Sequence, residues 1–116
     1  MITRIRGRHE FARLARDGTR IRCSALWCTW CPDPLSSSTA VAFAISRAYG
    51  PAVRRNRLRR RLRAILAELD RTSTLPPGMM LIGARPQGDV ELTFERVRSE
   101  LTTLTERIRT SEPCSA

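Results

Sequence analysis

The segment AFAISRAYGPAVRRNRLRRRLR, residues 42–63, decides the fold because it changes from a strand pattern to a helix pattern across one short turn. Apolar and small residues alternate over residues 39–46, which is typical of a strand with one buried face. Gly50 and Pro51 interrupt that pattern, and proline is well tolerated at the start of a helix, where its missing N–H would have no intrahelical partner. The sequence therefore predicts a strand that leads directly into a helix.

The segment from Ala52 to Asp70 is predicted to be an amphipathic helix. Its apolar residues recur at steps of three and four and so form one core stripe. At 100° per residue, Asn56, Arg60 and Arg63 lie opposite that stripe, and other arginines flank it. One face of the helix should therefore pack and the other should be cationic. The stripe consists of Leu58, Leu62, Ile65, Leu66 and Leu69.

The positive charge of the chain is concentrated around this helix. All 21 basic residues are arginine, against 11 acidic residues, and the net charge is +10. Residues 1–63 hold 15 arginines and 3 acidic residues, whereas residues 64–116 hold 6 and 8. A genome rich in G and C also favours arginine over lysine, so the position of the charge is more informative than its type. Because guanidinium groups bind phosphate oxygens bidentately, the patch predicts a polyanionic partner.

Length and hydropathy limit the protein class. A chain of 116 residues is predicted to form one domain, residues 1–116, with 110–116 as a frayed tail. No run approaches the roughly 18 apolar residues of a membrane span, and no apolar stretch follows Met1 as in a secretory signal. The basic helix also lacks the Trp/Phe/Leu face of an interfacial membrane helix. We therefore expect a cytoplasmic protein with no membrane partner.

The remaining elements complete an α+β pattern. A short helix is predicted over residues 9–16, a strand over 20–31, a buried strand over 79–84, and a last helix capped by Thr93. The apolar face of that last helix consists of Phe94, Val97, Leu101, Leu104 and Ile108. The order α–β–β–α–β–α, with room for a further strand within 20–45, predicts a small α/β sandwich. In it, helices pack on a sheet of about four strands, and a β-α-β crossover carries the basic helix.

The run from Ala42 to Arg63 resembles the signature of the bacterial ribonuclease P protein subunit family. In that family a strand ending in Ser-Lys/Arg leads through Gly-Asn-Ala-Val into an Arg-Asn-Arg helix, which carries further basic residues. The resemblance extends over roughly residues 8 to 108, including Glu10-Phe11 ahead of Gly18 and the run LIGARP at 81–86. The residues that match the basic helix are Arg55, Asn56, Arg57, Arg59, Arg60 and Arg63.

The resemblance implies a role in tRNA maturation. The family's catalytic entity is an RNA that removes the 5′ leader of precursor tRNA with bound Mg²⁺, so we expect no catalytic residue, no metal site and no obligate protein partner in this chain. The matching helix residues would bind the catalytic RNA, and the crossover would be left-handed, against the usual right-handed default. The residues that would line a cleft for the leader are Phe11, Phe43, Ile45, Ser46 and Arg47.

Three positions depart from the family pattern. Pro51 stands where the family has asparagine, and Ala48 replaces the second basic residue after the strand. Thr29 occupies the place of an expected aromatic residue, although Trp27 and Trp30 are adjacent and could substitute. These departures weaken the expected leader contacts more than they weaken the basic helix.

Two rival hypotheses remain open at this stage. A ribosomal or DNA-binding protein could use the same basic helix without taking part in an enzyme. Alternatively, Cys28 and Cys31 form a Cys-x-x-Cys pair that is superficially similar to a thiol redox motif, although it lies in a predicted strand rather than at a helix N-terminus. Zinc would require Cys23 as well, with His9 or Cys114 completing the set.

Overall fold

The computed structural model describes residues 2–5, 7–33, 38–72 and 75–110. Its regular elements confirm the predicted α+β class, with five strands where about four were predicted. In chain order they are β1 (Ile2–Arg4), α1 (Arg8–Asp17), β2 (Thr19–Arg22), β3 (Leu26–Pro32), β4 (Thr39–Ala44), a 3₁₀ turn (Arg47–Tyr49), α2 (Ala52–Arg71), β5 (Gly78–Ala84) and α3 (Phe94–Thr110).

The five strands form one mixed sheet in the order β1-β4-β5-β3-β2. The central strands β4 and β5 are parallel neighbours, and β1 continues the parallel half at the edge beside β4. Strand β3 runs antiparallel to β5, and β2 is antiparallel to β3. Helix α2 therefore lies in the crossover between two adjacent parallel strands, as predicted, while the hand of that crossover stays a prediction.

The two differences in strand assignment have local causes. The predicted strand over 20–31 is a hairpin of two strands, and its connection is held by the Glu100 carboxylate, which accepts hydrogen bonds from the backbone N–H groups of Ala25 and Leu26 at 2.8 and 2.7 Å. That partner lies about 75 residues away, so no local pattern indicates the break. Strand β1 was missed because three residues are too few to show a period.

The sheet separates a large core from a small one. Helices α2 and α3 pack on one face, which we call the two-helix face, and its core draws alternate residues from the strands. Helix α1 packs over β3 and β5 on the opposite face, which we call the α1 face. The residues buried there are Ile5, Leu14, Cys31 and Met79.

The helices bury the predicted stripes, with two exceptions at their ends. In α2 four of the five stripe residues are fully buried, and Leu69 is partly buried against them. In α3 the Thr93 hydroxyl accepts a hydrogen bond from the Arg96 N–H at 3.1 Å, as expected of a cap, but Phe94 is 37% exposed rather than buried. Among the described residues, no helix combines the length and apolar character needed to cross a membrane.

Candidate nucleic-acid interface

A rigid turn fixes where α2 begins. Tyr49 is buried, and its hydroxyl accepts a hydrogen bond from the Leu92 N–H at 3.3 Å. Gly50 follows with φ of +154°, and a Cβ there would lie 3.0 Å from Cδ of Arg54, so a side chain would be strained and crowded. Pro51 is the N-cap with φ of −67°, and its carbonyl accepts the first intrahelical bond from the Arg55 N–H. The proline that departs from the family pattern therefore preserves the helix start.

One set of α2 side chains projects away from the core. Asn56, Arg60 and Arg63 are exposed, as the helical period predicted, and Arg59 is half-buried beside them. Arg59 donates from Nη1 to Oδ1 of Asn56 at 2.8 Å. Within the part of the chain that the structure describes, Arg59, Arg60 and Arg63 form no ion pair. We call these three the projecting arginines; they are available to phosphate.

A second set of α2 arginines binds the loop ahead of α3. Arg57 donates from Nη1 to both carboxylate oxygens of Glu91, at 2.6 and 2.8 Å. Arg61 donates to the same carboxylate at 3.3 Å and to the Leu92 carbonyl, while Arg54 donates to the carbonyl oxygens of residues 88 and 89 at 3.2 Å. We call Arg54, Arg57 and Arg61 the anchored arginines. Arg57, expected to bind RNA, is therefore already engaged within the protein.

The N-terminal end of α2 is unusually positive. Aligned peptide dipoles place partial positive charge at a helix N-terminus, where acidic residues are stabilising. The first turn of α2 has no acidic residue, and Arg54 and Arg55 stand there instead. Arg55 offsets part of the cost by donating from Nε to the Gly50 carbonyl at 3.2 Å. A bound anion would relieve the remaining repulsion between these arginines and the positive end of the helix dipole. The phosphate groups of a nucleic acid are such anions.

The five residues expected to form the leader cleft do not come together. Phe11, 42% exposed, belongs to α1 on one side of the sheet. Phe43 and Ile45 belong to the two-helix face, where Ile45 is buried in the main core and Phe43 packs against it. Ser46 and Arg47 are exposed between β4 and α2. Residues 43 and 45 share a strand parity that faces α2, which separates them from Phe11, while the role of the five residues in leader binding stays a prediction.

The sequence-based list missed the side chains that accompany Phe11 on the α1 face. Trp27 has the same strand parity as Thr29, whose methyl group lies within 2.6 Å of a Cβ placed on Gly18 at the end of α1. The Arg20 guanidinium lies 4.2 Å from the Trp27 ring centroid. The indole also lies against Gly83, where a Cβ would come within 2.1 Å of it. Of the two tryptophans, Trp27 therefore lies on the α1 face and Trp30 in the main core, and strand parity is the signal that separates them.

The cysteine pair is not arranged for redox chemistry. Cys28 lies in the main core on the two-helix face, whereas Cys31 lies in the small core on the α1 face. Because three residues of strand span roughly 10 Å, the two sulfurs are too far apart for a disulfide. Burial also raises the pKa of the Cys28 thiol to about 12, which opposes thiolate formation. The thiol oxidoreductase hypothesis has no support in this geometry.

The zinc hypothesis fails on the same geometry. Ligands must converge on one ion, and Cys28 and Cys31 point to opposite faces of the sheet. Across residues 2–5, 7–33, 38–72 and 75–110, no three His, Cys, Asp or Glu side chains are grouped as a metal site requires. Cys114, one of the proposed ligands, lies outside the described residues.

Comparison with known proteins agrees with the fold and with the basic helix. A family profile described as Ribonuclease P matches residues 2–109. The "Ribonuclease P protein component" of Synechococcus elongatus is 36% identical over 109 residues, which cover 90% of this chain and 88% of that protein. The solved structure of the RNase P protein of Staphylococcus aureus superposes with a TM-score of 0.77 over 91% of this chain and 94% of that one, at 19% identity, and so supports the fold.

The matched lengths differ among relatives. The component from Beutenbergia cavernae is 39% identical over 79 residues, which are 68% of this chain and 65% of that protein, so the match spans just under two thirds of its length. The profile, by contrast, covers nearly the whole chain: of the described elements it includes the five strands, α1, α2 and all but the last residue of α3. The chain therefore belongs to the ribonuclease P protein family.

Proposed function

We propose that this chain is the protein component of a ribonuclease P that removes the 5′ leader of precursor tRNA, with an RNA subunit performing the cleavage. One observation carries the proposal. The leucine stripe of α2 fixes the helix to the sheet, while Asn56 and the projecting arginines remain on its outer side without acidic partners among the described residues. Such a face binds a folded RNA through its phosphates and does not require a reactive side chain.

The α1 face supports the proposed contact with the precursor leader. A single-stranded leader would be bound through base stacking and phosphate contacts. Phe11 and Trp27 supply exposed and half-exposed aromatic rings there, and Arg20 adds positive charge beside the indole. Ser46 and Arg47 extend the polar surface between β4 and α2. We therefore place the leader on the α1 face, without the side chains of Phe43 and Ile45.

The metal of the holoenzyme, which we propose to be Mg²⁺, is assigned to the RNA subunit. The described residues hold no cluster of three or more ligating side chains, so they do not fit a resident metal site. Phosphate oxygens of an RNA are suitable ligands for this hard cation. Cys23, Cys28 and Cys31 are free thiols, which is consistent with the reducing cytoplasm that we propose as the location.

Reconstitution of cleavage tests the proposal. The pure chain should cleave nothing, the catalytic RNA alone should need high Mg²⁺, and the two together should cleave precursor tRNA at low Mg²⁺. The double variant Arg60→Ala/Arg63→Ala should lose most of this stimulation. Its matched control is Arg85→Ala/Arg109→Ala, which removes the same charge from exposed positions outside α2 and should stimulate normally. If both double variants lost stimulation of cleavage equally, the loss would reflect the change in net charge rather than the position of the arginines on α2.

A competition experiment separates the rival basic-protein hypothesis. The chain should bind the catalytic RNA at least tenfold more tightly than duplex DNA of equal length at the same salt concentration. Equal affinity for both polymers, with no stimulation of cleavage, would favour a general ribosomal or DNA-binding protein.

A further inference from the structure

A groove lies between the sheet edge and α2, and the function proposed above uses only the two α2 arginines on its rim. Its volume is about 570 Å³, within the range of small-ligand sites, and it opens between β1 and α2. The floor is apolar, formed by Val41 and Phe43 of β4 together with Leu66 of α2. The Phe43 side chain is only partly buried in this groove, so this part of the two-helix face is reachable from outside the protein.

The charge around the groove selects an anionic occupant. Arg4 lines it from β1, and Arg59 and Arg63 line it from α2, while none of the described residues that line it is acidic. The Arg63 guanidinium carbon lies 5.7 Å from the centroid of the Phe43 ring, so positive charge stands directly beside an aromatic face. An aromatic floor with an arginine rim matches a nucleotide, whose base stacks while its phosphates pair with guanidinium groups.

We propose that this groove receives one unpaired nucleotide of the catalytic RNA, with its base on Phe43 and its phosphates between Arg4 and the two α2 arginines. The inference rests on the proposed function. Two of the three rim arginines already belong to the surface that binds that RNA, and Phe43 lies across the sheet from Phe11. The groove therefore extends the catalytic-RNA interface from α2 onto the sheet and reassigns Phe43 from the leader to the RNA subunit.

The test compares binding of full-length variants to the catalytic RNA alone. Phe43→Leu keeps an apolar side chain but removes the aromatic face, so affinity should fall roughly tenfold while its salt dependence stays unchanged. Phe43→Tyr should restore the affinity. Arg4→Gln should instead reduce the slope of log affinity against log salt by about one, since it removes a phosphate contact. Base-specific chemical footprinting should show one unpaired base of the RNA protected by the wild type and exposed by Phe43→Leu.

Phe11→Leu is the matched control, because it makes the same change on the opposite face of the sheet. It should leave affinity for the catalytic RNA unchanged and weaken binding of precursor tRNA to the holoenzyme. Unchanged affinity and footprint in Phe43→Leu would overturn the inference, as would a footprint change in the precursor leader instead of the RNA subunit. If Phe43→Leu lowers the melting temperature and Phe43→Tyr does not restore it, the role of Phe43 is packing and the inference is wrong. If the wild type itself does not bind the RNA, the proposed function fails, and the groove assignment fails with it.

Discussion

Helix α2 uses the same residue type for two different tasks. The anchored arginines contact Glu91 and three backbone carbonyl groups of the loop ahead of α3, at distances from 2.6 to 3.3 Å where the bonds have normal length. The projecting arginines, on the same helix, have no acidic partner among the described residues. The difference is decided by the loop rather than by the helix, since Glu91 and the loop carbonyl groups lie on the side of α2 that carries Arg54, Arg57 and Arg61.

This contrast shows why composition alone overstates an RNA-binding surface. The basic segment holds seven arginines within residues 54–63, but three of them bind the loop ahead of α3. The anchored arginines bind α2 to the loop ahead of α3, so they hold the RNA-binding face in place without all contributing free charge to it. Removing an anchored arginine should therefore act first on stability, and removing a projecting one should act first on RNA affinity.

The largest expected effect comes from the stripe on which both sets depend. Leu62 has no exposed surface, and Leu62→Ala should lower the free energy of unfolding by about 2–4 kcal/mol because it leaves a cavity under α2. Urea denaturation at neutral pH measures the loss. The folded fraction should bind the catalytic RNA with nearly unchanged affinity. A loss of affinity far beyond the loss of folded protein would mean that the two faces of α2 are coupled.

Glu100 is, like Glu91, a carboxylate that binds several donors, but it is buried. Its substitution should have the next largest effect on the free energy of unfolding. It is 3% exposed, and its carboxylate accepts hydrogen bonds from two backbone N–H groups and from Arg96 Nε at 2.9 Å. Burial alone would raise the pKa of Glu100, but the hydrogen bonds from Leu26, Ala25 and Arg96 outweigh it and the pKa is lowered. Glu100→Gln should cost about 2 kcal/mol at neutral pH, because an amide cannot satisfy all three donors.

The pH dependence of that difference has a definite sign. A lowered pKa means that Glu100 stabilises the fold fully above the ordinary glutamate value of 4.5 and loses that contribution as pH falls through its folded-state pKa. The gap in unfolding free energy between wild type and Glu100→Gln should therefore narrow on acidification below 4.5. Denaturation series at several pH values measure it. A gap that stays constant at acidic pH would show that the charge of Glu100 is not what holds the hairpin.

The sequence predicted what local period and local signature can encode. The α2 stripe, the Thr93 cap and the family all follow from residues close together in the chain, and each is confirmed. The further strand that the sequence allowed within residues 20–45 is present, but the position of the break between β2 and β3 could not be predicted, because the backbone N–H groups there bind Glu100 from α3. The engagement of Arg57 was missed for the same reason, since its partner Glu91 lies beyond an intervening strand.

The leader cleft shows a different limit. The family resemblance identified Phe43 as a candidate leader-binding residue, but it could not indicate which face of the sheet its side chain occupies. Alternation along β4 places Phe43 with Val41, and only the packing of α2 identifies that side as the two-helix face. The sequence shows Trp27 only as a near neighbour of Thr29. The register between β3 and β5 is needed to place its indole against Gly83.

Breaking the anchored set at its acidic partner should have an intermediate effect. Glu91→Gln removes the charge that holds Arg57 and Arg61, and it should lower the free energy of unfolding by about 1 kcal/mol, discounted because both partners are partly exposed. RNA affinity should not fall, since two guanidinium groups become free for phosphate. Thermal melting and RNA titration measure the two effects. Lower RNA affinity in this variant would show that RNA binding depends on the loop position that Glu91 fixes.

The smallest change in stability is expected when a projecting arginine is removed, and comparing it with an anchored arginine tests the contrast between the two sets directly. Arg60→Ala removes an exposed projecting arginine, so the free energy of unfolding should change by less than about 0.5 kcal/mol, whereas RNA affinity should fall about fivefold and its salt slope by about one. Arg57→Ala is the matched substitution one helical turn away, and it should lower stability by about 1 kcal/mol with a smaller change in salt slope, because its charge is already compensated by Glu91. If both variants lose the same affinity at the same salt slope, the Glu91 pair must open when RNA binds, and the anchored set would belong to the RNA interface after all.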